Sequence, residues 1–213
     1  MCATFQHNAK LDALSFGRNS RRSFSENYNM SLEIQNTSIE GLLLIRPEIF
    51  EDERGQFAET FSERDFACAV GHEVSFVQDN ESVSKAGVLR GLHFQTPPKA
   101  MGKLIRVTSG SILDVAVDLR KGSPTYGKHE AVILDAAEGW QFWVPAGFAH
   151  GFLSLEDSTK VVYKCTEFYA PECEGSLAPF DKDLAIDWGI EKPIMSEKDA
   201  AAMPFSNFTS PFE

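Results

Sequence analysis

The chain has 213 residues, of which 43% are hydrophobic and 24% are charged, enough for one globular domain with a substantial core. Its 20 basic and 31 acidic residues give a net charge of -11, which opposes binding to nucleic acid or to an anionic membrane. The longest apolar runs, such as residues 41–45, fall far short of the ~20 residues that a membrane-spanning helix needs. We therefore expect a soluble protein with no nucleic-acid or membrane partner.

The N-terminal residues 1–37 differ from the rest because they are rich in Ser and Arg and show no lasting apolar period. This composition is typical of a flexible tail. Two alternatives stay open, namely an organelle transit peptide and a true start at Met30. We predict that residues 38–213 form a single β-barrel domain that includes a C-terminal extension.

From Ile39 onward, short strand-like runs are separated by turn residues, at a spacing that predicts an all-β, mostly antiparallel barrel. A short helix is predicted at residues 62–69, with Ser62 as its N-cap, and another at residues 197–202. The predicted strands are residues 41–45, 57–61, 74–77, 88–94, 103–108, 112–119, 129–134, 141–144, 151–155 and 160–169.

The clearest alternation lies in residues 112–119, where apolar side chains share one face and Asp114, Ala116 and Asp118 share the other. Alternation matters for function because a barrel of about eight strands can hold one small ligand in its mouth. Polar side chains on an inward face are therefore candidate ligand contacts.

Two polar residues that could contribute to a site, Arg90 and His93, lie in the apolar strand at residues 88–94. In a regular strand their odd spacing places them on opposite faces, so a shared face requires a bulge, for which Gly91 is suited. The alternative places Arg90 in solvent and His93 in the core. The residues leave both interpretations open.

The motif PxGxxH, formed by Pro145, Gly147 and His150, is the second half of the cupin barrel signature. Metal-binding cupins also carry an earlier HxH, which is missing here because Phe94 and Gln95 follow His93. A transition-metal site usually needs three or more protein ligands. We therefore expect no metal.

The four cysteines form no CxxC pair and no zinc-site spacing, and the N-terminus carries no secretory h-region. This pattern favours reduced thiols and a cytoplasmic protein. The cysteines are Cys2, Cys68, Cys165 and Cys173.

Nine short blocks, in this order and spacing, resemble the dTDP-4-dehydrorhamnose 3,5-epimerase family over roughly residues 39–203. The blocks are DERGQF (52–57), FVQDN (76–80), GVLRGLHFQ (87–95), GKL (102–104), DVAVD (114–118), GSPTYG (122–127), PAGFAHGF (145–152), YKCT (163–166) and SEKD (196–199). The resemblance implies a cupin-type antiparallel β-barrel, or jelly roll, that works as a homodimer without a cofactor.

The resemblance also implies roles for individual residues. His93 would be the proton acceptor, Tyr163 the proton donor, Asp199 the acid that orients His93, and Lys103 the cation near the developing oxyanion. The positions that match substrate contacts are Arg54, Phe57, Glu59, Gln78, Asp79, Asn80, Arg90, His150, Tyr169, Glu174 and Lys198, with Tyr169 stacking on thymine.

The reaction that the resemblance implies is conversion of dTDP-4-dehydro-6-deoxy-D-glucose to dTDP-4-dehydro-L-rhamnose. It needs a base, an oxyanion stabiliser and an acid on the other side of the sugar, because a C–H bond beside a ketone ionises to an enolate. The alternatives are a single-carbon epimerase or ketoisomerase on a related dTDP-4-keto-6-deoxy sugar, and a non-catalytic sugar-nucleotide-binding cupin. A metal-dependent cupin oxygenase is disfavoured by the missing HxH.

Overall fold

A computed structural model describes residues 32–213 of the chain. The first strand, β1 (Leu32–Asn36), already lies within the stretch 1–37, whose composition predicted a flexible tail. Residues 1–31, including the alternative start at Met30, lie outside the described residues. Within residues 32–213, no helix is long and apolar enough to cross a membrane.

The larger sheet has six antiparallel strands, with β1 at one edge. In spatial order it consists of β1, β2 (Leu43–Pro47), β10 (Gln141–Val144), β7 (Lys103–Ser109), β12 (Thr159–Cys165) and β5 (Gln78–Ser84).

The smaller sheet has five antiparallel strands, and a separate two-stranded hairpin precedes the first helix. The five strands are β13 (Glu174–Ser176), β6 (Leu89–Gln95), β11 (Phe148–Ser154), β8 (Ser111–Asp118) and β9 (His129–Asp135). The hairpin is β3 (Ile49–Asp52) with β4 (Gly55–Ala58), and the helices are α1 (Glu63–Val70), α2 (Glu197–Ala200) and two 3-10 turns, Pro171–Cys173 and Phe205–Asn207.

The two sheets pack face to face around one apolar cluster, which includes Ile105 and Phe142 from the larger sheet and Ile112 and Phe152 from the smaller. A second cluster covers the other side of the smaller sheet with the C-terminal extension, where Trp188 is buried. The fold is therefore a jelly-roll sandwich of the cupin type, and the predicted all-β class is confirmed. The sheets form two packed layers without closing into a continuous barrel.

The predicted helix after Ser62 is confirmed, whereas one of the predicted strands is not. Ser62 caps α1, since its side chain accepts a hydrogen bond from the backbone N–H of Asp65, and Gly71 ends the helix with φ 82°. The strand predicted at residues 74–77 is wrong: this segment is irregular, and its apolar residues pack beneath α1. The polar strand β5 follows it and has no apolar alternation to reveal it.

The prediction that the cysteines are reduced thiols is confirmed for only some of them. Cys165 and Cys173 are free and buried, in line with reduced thiols. Cys68 is disulfide-bonded, so the expectation of reduced thiols is wrong for this residue.

Candidate active site

A cavity of about 810 Å³ lies between the two sheets, at the end where β5, β6, β7 and β12 meet α2. Most of the predicted site residues line this one cavity. They are His93, Lys103, Tyr163 and Asp199 from the predicted catalytic set, and Gln78, Asn80, Arg90, His150, Tyr169, Glu174 and Lys198 from the predicted substrate contacts.

The first feature of the cavity is a hydrogen-bonded pair, His93 on β6 and Asp199 on α2. Their Nε2 and Oδ1 atoms are 2.6 Å apart, and Asp199 is almost fully buried whereas the His93 side chain is 30% exposed. Asp199 is held in place because Ser196, the N-cap of α2, accepts its backbone N–H at 3.1 Å. The carboxylate therefore fixes the orientation of the imidazole.

The charge state of His93 suits a base. Burial lowers the pKa of His93 below its ordinary value, and the hydrogen bond and negative charge of Asp199 only partly oppose this effect. The imidazole is therefore neutral near neutral pH and can accept a proton, while Asp199 stabilises the imidazolium that forms.

Arg90 and His93 both line the cavity, so the predicted bulge at Gly91 is present. The pairing of β6 with β11 shifts register there, and Gly91 has φ 133°. A side chain at Gly91 would meet the Cα of Gly151 at 2.4 Å, so two glycines permit this close approach. The opposed glycines thus allow Arg90 and His93, which are three residues apart, to face the same cavity.

A second histidine–aspartate pair lies deeper in the cavity. His150 on β11 places its Nε2 2.5 Å from Oδ1 of Asp114 on β8, and the aspartate is fully buried. No sequence motif predicted a role for Asp114. The available signal was its position on the polar face of an otherwise apolar strand, because a buried carboxylate needs a partner.

Lys103 on β7 supplies a cation to the same space. Burial lowers its pKa, while Cys165, Asp114 and Glu174 raise it. Within residues 32–213, no carboxylate lies within ion-pair distance of its ammonium group. A cation without a close anion in a partly dry cavity interacts strongly with negative charge that develops on a ligand.

Tyr163 enters the cavity from β12 in the larger sheet, whereas His93 belongs to the smaller sheet. Burial raises the pKa of Tyr163, so its hydroxyl keeps its proton well above neutral pH. The facing sheets thus contribute a neutral imidazole and a protonated phenol to one cavity.

The mouth of the cavity carries a linked group of side chains. The hydroxyl of Tyr169 donates to Glu174 at 2.8 Å, and Lys198 pairs with the same carboxylate at 2.5 Å. The ring of Tyr169 is 56% exposed, which leaves it available to stack on a planar ligand.

Four predicted contacts lie outside this cavity. Arg54 and Phe57 are exposed on the β3–β4 hairpin, where Arg54 pairs with Asp52, and Glu59 is exposed just beyond it. Asp79 points outward from β5 and pairs with Lys164 at 3.2 Å. The cavity of a single chain therefore does not bring these residues to the site.

The donor groups do not form a metal centre of the cupin kind. Among the described residues, no group of three or more His, Cys, Asp or Glu is placed to hold a metal ion. His150, which completes the metal site in metal-binding cupins, directs its Nε2 to Asp114.

The fold and the site together define a cupin-type protein with a neutral histidine, hydrogen-bonded to an aspartate, and a protonated tyrosine on facing sheets of one cavity. The family model described as dTDP-4-dehydrorhamnose 3,5-epimerase matches residues 36–207. A protein of that name from Methanothermobacter thermautotrophicus is 54% identical over 166 residues, covering 76% of this chain and 89% of the relative. The chain therefore belongs to the dTDP-4-dehydrorhamnose 3,5-epimerase family.

Solved structures agree with this assignment. The Legionella pneumophila dTDP-6-deoxy-D-glucose-3,5-epimerase in complex with dTDP-4-keto-L-rhamnose matches with a TM-score of 0.82 and 45% identity, over 85% of this chain and 98% of that one. ChmJ, a 3'-monoepimerase from Streptomyces bikiniensis in complex with dTDP-quinovose, matches with a TM-score of 0.76 and 39% identity, over 80% of this chain and 86% of that one.

Proposed function

We propose that this protein is a 3,5-epimerase that converts dTDP-4-dehydro-6-deoxy-D-glucose to dTDP-4-dehydro-L-rhamnose without a cofactor. The observation that carries the proposal is the placement of a neutral His93 and a protonated Tyr163 on facing sheets of one cavity. Family membership supplies the substrate class, since the related Legionella pneumophila structure holds dTDP-4-keto-L-rhamnose.

The reaction begins when the imidazole of His93 removes a proton from the carbon beside the ketone. The electron pair moves onto the ketone oxygen and forms an enolate. Lys103 lines the same cavity, and its ammonium group stabilises this negative charge. Asp199 stabilises the resulting imidazolium through the 2.6 Å hydrogen bond. Positioned general-base catalysis of this kind contributes roughly 10²–10⁴-fold to a rate.

Inversion requires that the returning proton reach the other face of the same carbon. Tyr163 is suited to this step because its hydroxyl is protonated and belongs to the opposite sheet. If His93 both removed and returned the proton, the configuration would be retained. The separation of base and acid is therefore what makes the site an epimerase.

The remaining residues suit the nucleotide end of the substrate. Arg90 and Lys198 line the cavity and offer positive charge for a diphosphate in a protein whose net charge is -11. The exposed ring of Tyr169 offers a stacking surface for thymine.

We further propose that the protein is a cytoplasmic homodimer. In a homodimer, the exposed β3–β4 hairpin with Arg54 and Phe57 could reach the cavity of the second copy, which explains why neither residue lines its own. Light scattering coupled to size-exclusion chromatography tests the dimer. A monomer that retains full activity would overturn this part of the proposal.

Incubation with the substrate in deuterated water tests the activity itself. Deuterium at both C3 and C5 of the product, detected by NMR, is the expected result. Deuterium at neither position would contradict the proposed activity and support a non-catalytic, sugar-nucleotide-binding cupin.

A second candidate, a single-carbon epimerase on the same substrate class, is favoured by the similarity to the ChmJ 3'-monoepimerase. The same deuterium experiment separates the two candidates. Label at one carbon only, with inversion at that carbon, supports the second candidate.

A further inference from the structure

A chain of side-chain amides runs along the inner face of β5 toward Tyr163. The backbone N–H of Tyr169 donates to Oε1 of Gln78 at 3.1 Å. Nε2 of Gln78 donates to Oδ1 of Asn80 at 3.1 Å, and Nδ2 of Asn80 donates to the sulfur of Cys165 at 3.5 Å. Gln78 and Asn80 are two residues apart on one strand, so both face the cavity.

The direction of this chain is set at its first link. A backbone N–H can only donate a hydrogen bond, so it selects the oxygen end of the Gln78 amide. Gln78 must then present its NH₂ group to Asn80, which accepts with its oxygen. Asn80 is left with its NH₂ group directed toward β12. The orientation of both amides therefore follows from the main chain.

Asn80 is the direct partner of Tyr163 across the β5–β12 ladder, and both side chains line the cavity. Directly opposed residues of an antiparallel pair have side chains in contact distance. Burial and the neighbouring Cys165 raise the pKa of Tyr163, whereas the amide of Asn80 and the charge of Arg90 oppose the rise. An amide N–H that donates to the phenol oxygen leaves the phenolic proton free for another acceptor.

We propose that Gln78 and Asn80 are positioning residues for Tyr163, because the amide chain makes Asn80 a donor to the phenol oxygen and so directs the phenolic proton into the cavity. During reprotonation, the O–H bond of Tyr163 breaks and a C–H bond forms at the enolate carbon. The N–H of Asn80 stabilises the phenolate, which then recovers a proton from water. This inference rests on the proposed function, and it gives both amides a role beyond contact with substrate.

The decisive variant is Asn80→Leu, which removes the donor while keeping a side chain of similar size. We expect inversion to slow about 10- to 100-fold, the range for loss of a hydrogen bond to a charged group. Deuterium uptake should fall less, because His93 still removes the proton. The pKa of Tyr163 should rise, since the phenolate loses its donor.

The pKa of Tyr163 can be read without turnover from the tyrosinate absorbance of each protein, after subtraction of the same protein carrying Tyr163→Phe. Gln78→Leu provides a second variant if Asn80→Leu does not fold. It should shift the pKa in the same direction but less, because Asn80 is then free to turn. Lys160→Met, an exposed change on β12, is the control and should match the wild type.

An Asn80→Leu protein that inverts slowly but leaves the pKa of Tyr163 unchanged would overturn the inference and leave the proposed function standing. A wild-type protein that takes up deuterium at neither carbon would overturn the proposed function instead. In that case the absorbance titration still tests whether Asn80 affects the pKa of Tyr163.

Discussion

The site contains two histidine–aspartate pairs whose chemistry is the same and whose construction is different. His93 and His150 are direct partners on the adjacent strands β6 and β11, and both line the cavity. Asp114, the partner of His150, comes from the neighbouring strand β8. Asp199, the partner of His93, comes from α2 and lies 106 residues away in sequence.

This difference shows how one sheet can hold a polar pair built from its own strands beside one completed by a helix outside the sheet. The inner pair is part of the sheet itself, and its histidine and aspartate are 7% and 0% exposed. The outer pair exists only when α2 packs against β6, and its histidine is partly open to the ligand. We therefore expect the outer pair to control catalysis and the inner pair to contribute more to stability.

The change His93→Ala, in the outer pair, should have the largest effect on activity. Loss of the base should lower the rate roughly 10²–10⁴-fold and abolish deuterium uptake at both carbons. Binding of dTDP should remain nearly intact, since the Tyr169 end of the cavity is unchanged. NMR and calorimetry measure the two effects. Normal uptake in this variant would transfer the role of base to another residue, of which His150 is the nearest candidate.

The change Asp199→Asn should weaken the outer pair without unfolding the protein. We expect the rate to fall about 10- to 100-fold, because the imidazolium loses a charged hydrogen-bond partner. The melting temperature should change little, since α2 is short and lies at the mouth. Steady-state kinetics and thermal melting test this together. A large loss of thermal stability with a normal rate per folded molecule would contradict it.

The matched change in the inner pair is Asp114→Asn. The amide NH₂ group must face either His150 or the position of Oδ2, an atom with no hydrogen-bond partner among the described residues. A mismatched buried polar group costs about 1–3 kcal/mol, which corresponds to several degrees in melting temperature. We expect this variant to melt lower than Asp199→Asn. Equal melting temperatures would mean that burial does not distinguish the pairs.

The smallest expected effect is in the pH dependence. His93 must be neutral to act as a base, and burial lowers its pKa below the ordinary value of 6.5, so activity should persist below that pH. Because Asp199 raises this pKa, the acid limb of kcat/KM should move to lower pH in Asp199→Asn. A limb that moves upward in this variant would contradict the assignment of His93 as the titrating group.

Strands β8 and β5 show why part of the fold could be predicted from the sequence. In β8, the alternation of apolar and polar residues predicted a strand, and the structure confirms it. The apolar face packs against the C-terminal extension, and the face with Asp114 points between the sheets. Strand β5 was missed because its inner face carries the polar residues of the cavity and its outer face is charged. An alternating pattern reveals a strand only when one of its faces is apolar, and β5 has no apolar face.

The site could be predicted only in part for a similar reason. Motifs indicated His93, Lys103 and Tyr163, and these residues do share one cavity. Asp114 was missed because only the pairing of β8 with β11 makes it the partner of His150. Arg54 was assigned to substrate binding by resemblance, and its place on an exposed hairpin leaves that role a prediction.

By itself, the sequence determined the all-β class, the capped helix α1 and the chemical types of the site residues, because these depend on local composition and spacing. Only the tertiary structure decided which face of each strand lines the cavity and that Asp114 meets His150. Such contacts depend on the pairing of strands from different parts of the chain, and no local pattern records them.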